Sequence, residues 1–244
     1  MSLGTDTMFA EAESALIERI TAAATVRDPF PHCVVDDIFP PDFYGSLHEH
    51  WPPADKFRPL VDTGRVKPDY NKQRMAFILD ADSLGRLDDI PQNFWRRVCS
   101  LLLDSRLTRT ILEKFHDEIA ARLRPRGIPT EFEASADLLA DRAGYALGPH
   151  TDAPTRLVSL LFYLPLDDRL SHCGTALYRP IVPGFRCAGG LHYDTDMFSR
   201  VRTVGFVPNR LLMFPKTDRS FHGVEPIEEL VDRRSLQYAI RHAG

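Results

Sequence analysis

Residues 144–165 read GYALGPHTDAPTRLVSLLFYLP. The run Leu157–Leu164 is apolar and short, and Pro165 closes it. That pattern fits a buried strand better than a helix of ten or more residues. Extended as far as Leu166 it is still far too short to cross a bilayer, so no membrane association is expected. Just before the run, His150 and Asp152 stand two apart. In extended backbone, residues i and i+2 point to the same face, so this imidazole and carboxylate could share one metal ion. Triplets of this kind occur often by chance, and the chain holds a second, His192-Tyr193-Asp194.

Outward from this stretch the chain changes character near residue 134. After it, short strand candidates alternate with Gly and Pro: Ser135–Asp141, Leu157–Leu164, Thr175–Arg179, Val201–Phe206, Arg210–Phe214, Gly223–Ile227 and Ser235–Arg241. Many short strands with turn signals read as a β-sandwich or jelly roll. Before residue 134 helical spacing dominates. Phe9, Ala12, Ala15, Leu16, Ile20 and Ala23 share one helix face. Pro41 opens a second helix through His50. Phe94, Val98, Leu101 and Leu102 mark a third. Ile111, Phe115, Ile119 and Leu123 mark a fourth, stopped by Pro125 and Gly127. Two strands, Cys33–Asp37 and Arg74–Leu79, lie among them. The expected class is mainly β with flanking helices (α+β). One domain spans 1–244, with a helical support layer over 1–134 and a jelly-roll core over 135–244. Nothing near 134 is Gly/Ser-rich, so the break is a change of layer and not a linker. His48, His50 and His116 fall on helices and are expected at the surface.

Composition agrees with a globular protein. Of the 244 residues, 43% are hydrophobic and 26% charged, which excludes a disordered chain, a collagen or a disulfide scaffold. The net charge of −4 gives no basic balance for gripping nucleic acid, and no such partner is expected. The first twenty-five residues scatter Asp6, Glu11, Glu13, Glu18 and Arg19 among apolar positions, with no apolar core of a secretory signal. Cys33, Cys99, Cys173 and Cys187 form no CxxC and no zinc-knuckle spacing. Reduced, partly buried thiols in a cytoplasmic protein are expected.

A third metal ligand is offered by Phe221-His222-Gly223-Val224, after the strand Leu211–Phe214. Two imidazoles and one carboxylate on one face leave three positions open, the arrangement of non-haem Fe(II) oxygenases. A catalytic zinc with two His and one carboxylate overlaps with it. Eleven residues past His222 comes Arg233-Arg234-Ser235. In this order, HxD, distal His and Arg-x-Ser resemble the Fe(II)/2-oxoglutarate-dependent dioxygenases, prolyl-hydroxylase-like branch. So do residues 144–165, Gly174-Thr175-Ala176-Leu177 and His222-Gly223-Val224. Pro29-Phe30-Pro31-His32 and Val34-Val35-Asp36-Asp37 add a looser likeness near the N-terminus.

The resemblance implies a double-stranded β-helix, the cupin-like form of the jelly roll. It also separates the two triplets. His222 lies 72 residues after His150 but only 28 after Asp194, and several strands of about 5–6 residues must fit between HxD and the distal His. The metal set implied is His150, Asp152 and His222, holding Fe(II). His192, Tyr193 and Asp194 are left as a solvated loop or as substrate contacts. The cosubstrate implied is 2-oxoglutarate, consumed with O2 to succinate and CO2 as a substrate is hydroxylated. Its far carboxylate needs a planar, bidentate counter-charge, which guanidinium supplies. The position two before the serine selects Arg233, with Ser235 on the same strand face. Arg234 then faces the opposite way, toward solvent, unless the register slips by one. Tyr163 and Thr175 are either hydroxyl partners of that carboxylate or packing residues. Rival readings are a cupin-like isomerase or hydrolase without 2-oxoglutarate, and a silent metal-binding module. The substrate stays open between a small molecule and a protein side chain, and oligomeric state is not legible. Residues 180–209 and Pro52–Gln73 are candidate specificity segments.

Overall fold

Alternation along the long strands sorts the chain into layers. The computed structural model describes residues 3–124, 131–228 and 232–242. The larger sheet has seven strands in the order β1 (Cys33–Val35), β9 (Arg210–Pro215), β6 (Arg156–Tyr163), β11 (Arg233–His242), β4 (Phe132–Asp141), β3 (Arg74–Ile78) and β2 (Arg58–Pro59). The smaller has four, in the order β5 (Leu147–His150), β10 (His222–Val224), β7 (Thr175–Pro180) and β8 (Phe198–Val204). Neighbouring strands run antiparallel. The fold is a jelly roll with helices on one side. Strands from both halves of the chain share the larger sheet.

On β6, Val158, Leu160 and Phe162 face outward; on β11, Leu236, Tyr238 and Ile240 do the same. The helices α1 (Leu3–Ala22), α2 (Pro41–Glu49), α4 (Asp89–Leu102), α5 (Ser105–Lys114) and α6 (His116–Leu123) cover that face with Leu16, Phe43, Trp95, Leu107, Ile111 and Phe115. A four-residue helix α3 (Ala81–Leu84) precedes α4. Each fully buried Leu or Phe here contributes about 1.5–3 kcal/mol. This layer holds the sheet rigid from behind. The alternate residues of β6 and β9, Tyr163, Leu212 and Phe214, face inward and meet Leu177 of β7 and Val204 of β8. That inner face carries the site.

Several expectations shift. The fourth helix is two helices, broken at Phe115, yet Ile111, Phe115, Ile119 and Leu123 all stay buried across the break. The expected stop at Pro125 and Gly127 lies outside the described residues. The strand read as Val201–Phe206 runs over Phe198–Val204, since its outward positions are polar and its inward ends are Phe198 and Val204. Strands β5 and β2 carry no strand signal because each contains a proline. Each is an edge strand, where a missing N–H is tolerated. His48 and His50 are half-buried against Tyr44 and Phe94, not surface residues, because α2 packs on both flanks. His116 is exposed, as expected. No helix among the described residues is long and apolar enough to cross a membrane.

Candidate active site

Three residue positions converge where β5 and β10 pair. His150 ends β5 and His222 opens β10, and the two are direct cross-strand partners. Opposed residues project to the same face, so their rings meet with centroids 4.3 Å apart. The tight pairing depends on Gly223, whose added Cβ would collide with the carbonyl of Leu147. Asp152, two residues past His150, brings its carboxylate to the same point. Ligand atoms of His150, Asp152 and His222 lie within 4.8 Å of one another, and all three side chains are largely buried.

Each donor is oriented. Nδ1 of His150 is 3.0 Å from the carbonyl of Gly148, and Nδ1 of His222 is 3.0 Å from the carbonyl of Ser220. A carbonyl only accepts, so each Nδ1 carries the proton and each Nε2 keeps its lone pair for a ligand. Asp152 accepts a 2.6 Å hydrogen bond from the Ser159 hydroxyl and lies 3.7 Å from the Arg156 guanidinium. Burial, then the neighbouring His222, pushes His150 down to about 3. Burial also lowers His222, against the pull of Asp152. Burial alone would raise Asp152, but Arg156, then His222 and His150, hold its carboxyl below the usual range. Two neutral imidazoles and one ionised carboxylate are the donor set of a divalent transition metal with open positions. The residues present fit an Fe(II) ion.

The inner face leads from this cluster to a second one. Ser159, which holds Asp152, starts a row on β6 that continues through Leu161 to Tyr163. Four residues of strand span about 13 Å. At the far end Tyr163 donates to Thr175 at 2.7 Å and pairs in register with Ser235. Arg233 stands beside them, buried, with its guanidinium carbon 5.8 Å from the Tyr163 ring and 4.3 Å from the Phe206 ring. Its Nε donates to the Cys173 carbonyl and its Nη1 to Asp141, both at 2.7 Å. Arg233, Ser235, Tyr163 and Thr175 are therefore brought together. Arg234 does face the opposite way, but not simply into solvent. It is half-buried over the Trp51 ring and paired with Asp232.

The second triplet divides. His192 bridges to His150, its ring 4.9 Å from the ligand's ring and 6.1 Å from Tyr70. It is exposed and stands beside the His150–Asp152–His222 cluster. Tyr193 turns away into an aromatic cluster with Phe185, Phe198 and Phe221. Asp194 is exposed and precedes a short turn. Sequence reasoning did not single out Ser159, Arg156, Asp141 or Arg74. Charged residues ending otherwise apolar strands, Arg74 before Met75–Ile78 and Asp141 after Leu138–Ala140, were the available signal. Two large surface grooves, of about 590 and 880 Å³, lie elsewhere and include none of His150, Asp152 and His222.

The fold is a 2-oxoglutarate-oxygenase-like jelly roll. Among solved structures, a prolyl 4-hydroxylase from Phytophthora capsici matches with a TM-score of 0.50 at 14% identity, over 100% of this chain and 67% of that one. A prolyl-4-hydroxylase from Pseudomonas putida matches at 0.48 and 14%, over 95% and 100%. HygX from Streptomyces hygroscopicus, solved with nickel and 2-oxoglutarate bound, matches at 0.47 and 12%, over 87% and 83%. At these identities the likeness is one of fold. No family model and no curated protein matches the sequence.

Proposed function

We propose that this chain is a non-haem Fe(II)- and 2-oxoglutarate-dependent oxygenase that hydroxylates a small molecule or a protein side chain. One observation carries the reading. A single inner face joins a His-Asp-His donor set at one end to a buried arginine at the other, with apolar residues between. Bound Fe(II) would supply the redox chemistry that couples O2 to the decarboxylation of 2-oxoglutarate. The chain supplies the rest. His150 and His222 hold the metal through Nε2, and Asp152 through its carboxylate. Ser159 and Arg156 keep that carboxylate ionised and aimed. Arg233 takes the far carboxylate of 2-oxoglutarate, with the Tyr163, Thr175 and Ser235 hydroxyls beside it. Leu161, Leu177 and Phe214 keep water from the space between. His192 and Tyr70 flank the mouth through which substrate meets the metal.

The test is succinate formation in air from 2-oxoglutarate with added Fe(II). The reading expects slow, Fe(II)-dependent succinate release even without substrate, lost in Asp152→Ala. A protein that binds Fe(II) but makes no succinate and binds no 2-oxoglutarate overturns it, in favour of a metal enzyme without this cosubstrate.

A further inference from the structure

Three neighbouring strands carry one charged row. Arg233 on β11 pairs in register with Asp141 on β4, and Asp141 with Arg74 on β3. Directly opposed residues project to the same face, so the three side chains stand side by side on the inner wall. Asp141 is fully buried. It accepts from Arg74 Nε at 2.7 Å and Nη2 at 2.9 Å, a bidentate fork, and from Arg233 Nη1 at 2.7 Å. Arg74 also lies 4.3 Å over the Tyr145 ring, and its Nη1 donates to the Tyr70 hydroxyl at 3.4 Å. Burial alone would lower the Arg74 guanidinium, but Asp141, then Tyr145 and Tyr70, hold it firmly charged.

The charge count of this row decides what it accepts. Arg233 with Asp141 alone would be neutral. A ligand carboxylate brought to that pair would add a negative charge with nothing left to match it, which is costly in a buried setting. Arg74 changes the count to two positive charges and one negative. A single carboxylate then closes the row at zero.

We propose that Arg74 is a positioning residue for the cosubstrate: it neutralises Asp141, so that the charge of Arg233 stays available to the far carboxylate of 2-oxoglutarate. The proposal rests on the oxygenase reading above. Arg74 need not touch the ligand.

The experiment is a calorimetric titration of 2-oxoglutarate into Mn(II)-loaded wild type, Arg74→Gln, Asp141→Asn and the double variant. Mn(II) binding is measured separately. Coupling within one buried network changes binding by roughly two- to 150-fold, and loss of a buried charge partner falls in the upper part of that range. Arg74→Gln should therefore weaken 2-oxoglutarate at least about tenfold while Mn(II) binding holds. Removing both members of the pair should restore affinity to near wild type, a recovery that mere loss of packing would not produce. Should Arg74→Gln fail to fold, Asp141→Asn reads the same count from the other side, and its 2-oxoglutarate affinity should hold or rise. Unchanged affinity in Arg74→Gln, no recovery in a folded double variant, or weakened binding in Asp141→Asn would each overturn the proposal. A wild type that binds Mn(II) but no 2-oxoglutarate sinks the oxygenase reading itself, whatever the variants do.

Discussion

Gly223→Ala is the sharpest perturbation of the metal cluster that leaves every ligand in place. Gly223 lies between His222 and Val224 on β10, opposite the β5 residues that lead into His150. A Cβ there would stand well under 3.0 Å from the Leu147 carbonyl and 3.1 Å from that of Gly148. Both obstacles are backbone, so β5 must retreat by something on the order of 0.7–1 Å before an ordinary contact is reached. Metal–ligand distances tolerate only about 0.2 Å. His150 rides on the displaced strand and His222 on the fixed one, so the shift separates two ligands directly. Displacing the support of a ligand typically costs about 10–100-fold in metal affinity. Overpacking costs about 1–3 kcal/mol, which in a chain of this size lowers Tm by roughly 2–12 °C. Gly45→Ala, at an exposed position of α2, is the control. A Cβ there meets nothing within 4 Å, so metal affinity should hold and stability should hold or rise by about 0.5–1 kcal/mol. The assay is Mn(II) titration and thermal unfolding of both variants. Wild-type metal affinity and Tm in Gly223→Ala would refute the claim that the β5–β10 contact sets the ligand geometry.

Three more outcomes are expected. Arg233→Ala should weaken 2-oxoglutarate by about a hundredfold or more, while Arg234→Ala, on the outer face, should change it little; anaerobic titration of the Fe(II) protein distinguishes them. Phe39→Ala removes a ring that stacks on Phe162 at 5.3 Å and meets Phe43 at 5.0 Å, joining the helical layer to the sheet; unfolding should be easier by about 3–5 kcal/mol, and a loss below about 1 kcal/mol would contradict that packing. Acid should destabilise the metal-free protein. Buried His32, His150 and His222 are all held below their ordinary value of 6.5, by burial first. Above 6.5 they are neutral in both states, and below it the unfolded chain takes up protons first. Denaturant unfolding should therefore show stability flat above about pH 6.5 and falling below it, by at most about 1.4 kcal/mol per unit for each histidine. A flat profile from pH 7.5 to 5.5 would count against their burial.

Much of this was legible because periodicity is local. The run Leu157–Leu164 announced the central strand β6, and the HxD spacing announced that His150 and Asp152 share a face. What was hidden depends on register and sheet order. Strand β5 carries Gly148-Pro149, which reads as a turn, and only its edge position makes it a strand. Asp141 and Arg74 are 67 residues apart, and Asp141 and Arg233 are 92 apart; nothing along the chain pairs them until β3, β4 and β11 lie side by side. Ser159 looks like one polar break in an apolar run until β6 turns it toward Asp152. The triplet at residues 192–194 could be separated from the HxD only through resemblance to a fold. Even then, His192 proves to stand against the metal cluster while Tyr193 and Asp194 do not.

The most direct measurement is an anaerobic titration of Fe(II)-loaded protein with 2-oxoglutarate, followed by the visible metal-to-ligand charge-transfer absorbance, in wild type and in Asp152→Ala. Wild type should bind one Fe(II) per chain and develop an absorbance that saturates at one 2-oxoglutarate per iron, and Asp152→Ala should lose both with the fold retained. Stoichiometric iron in folded Asp152→Ala, or iron-loaded wild type that develops no absorbance with 2-oxoglutarate, would contradict it.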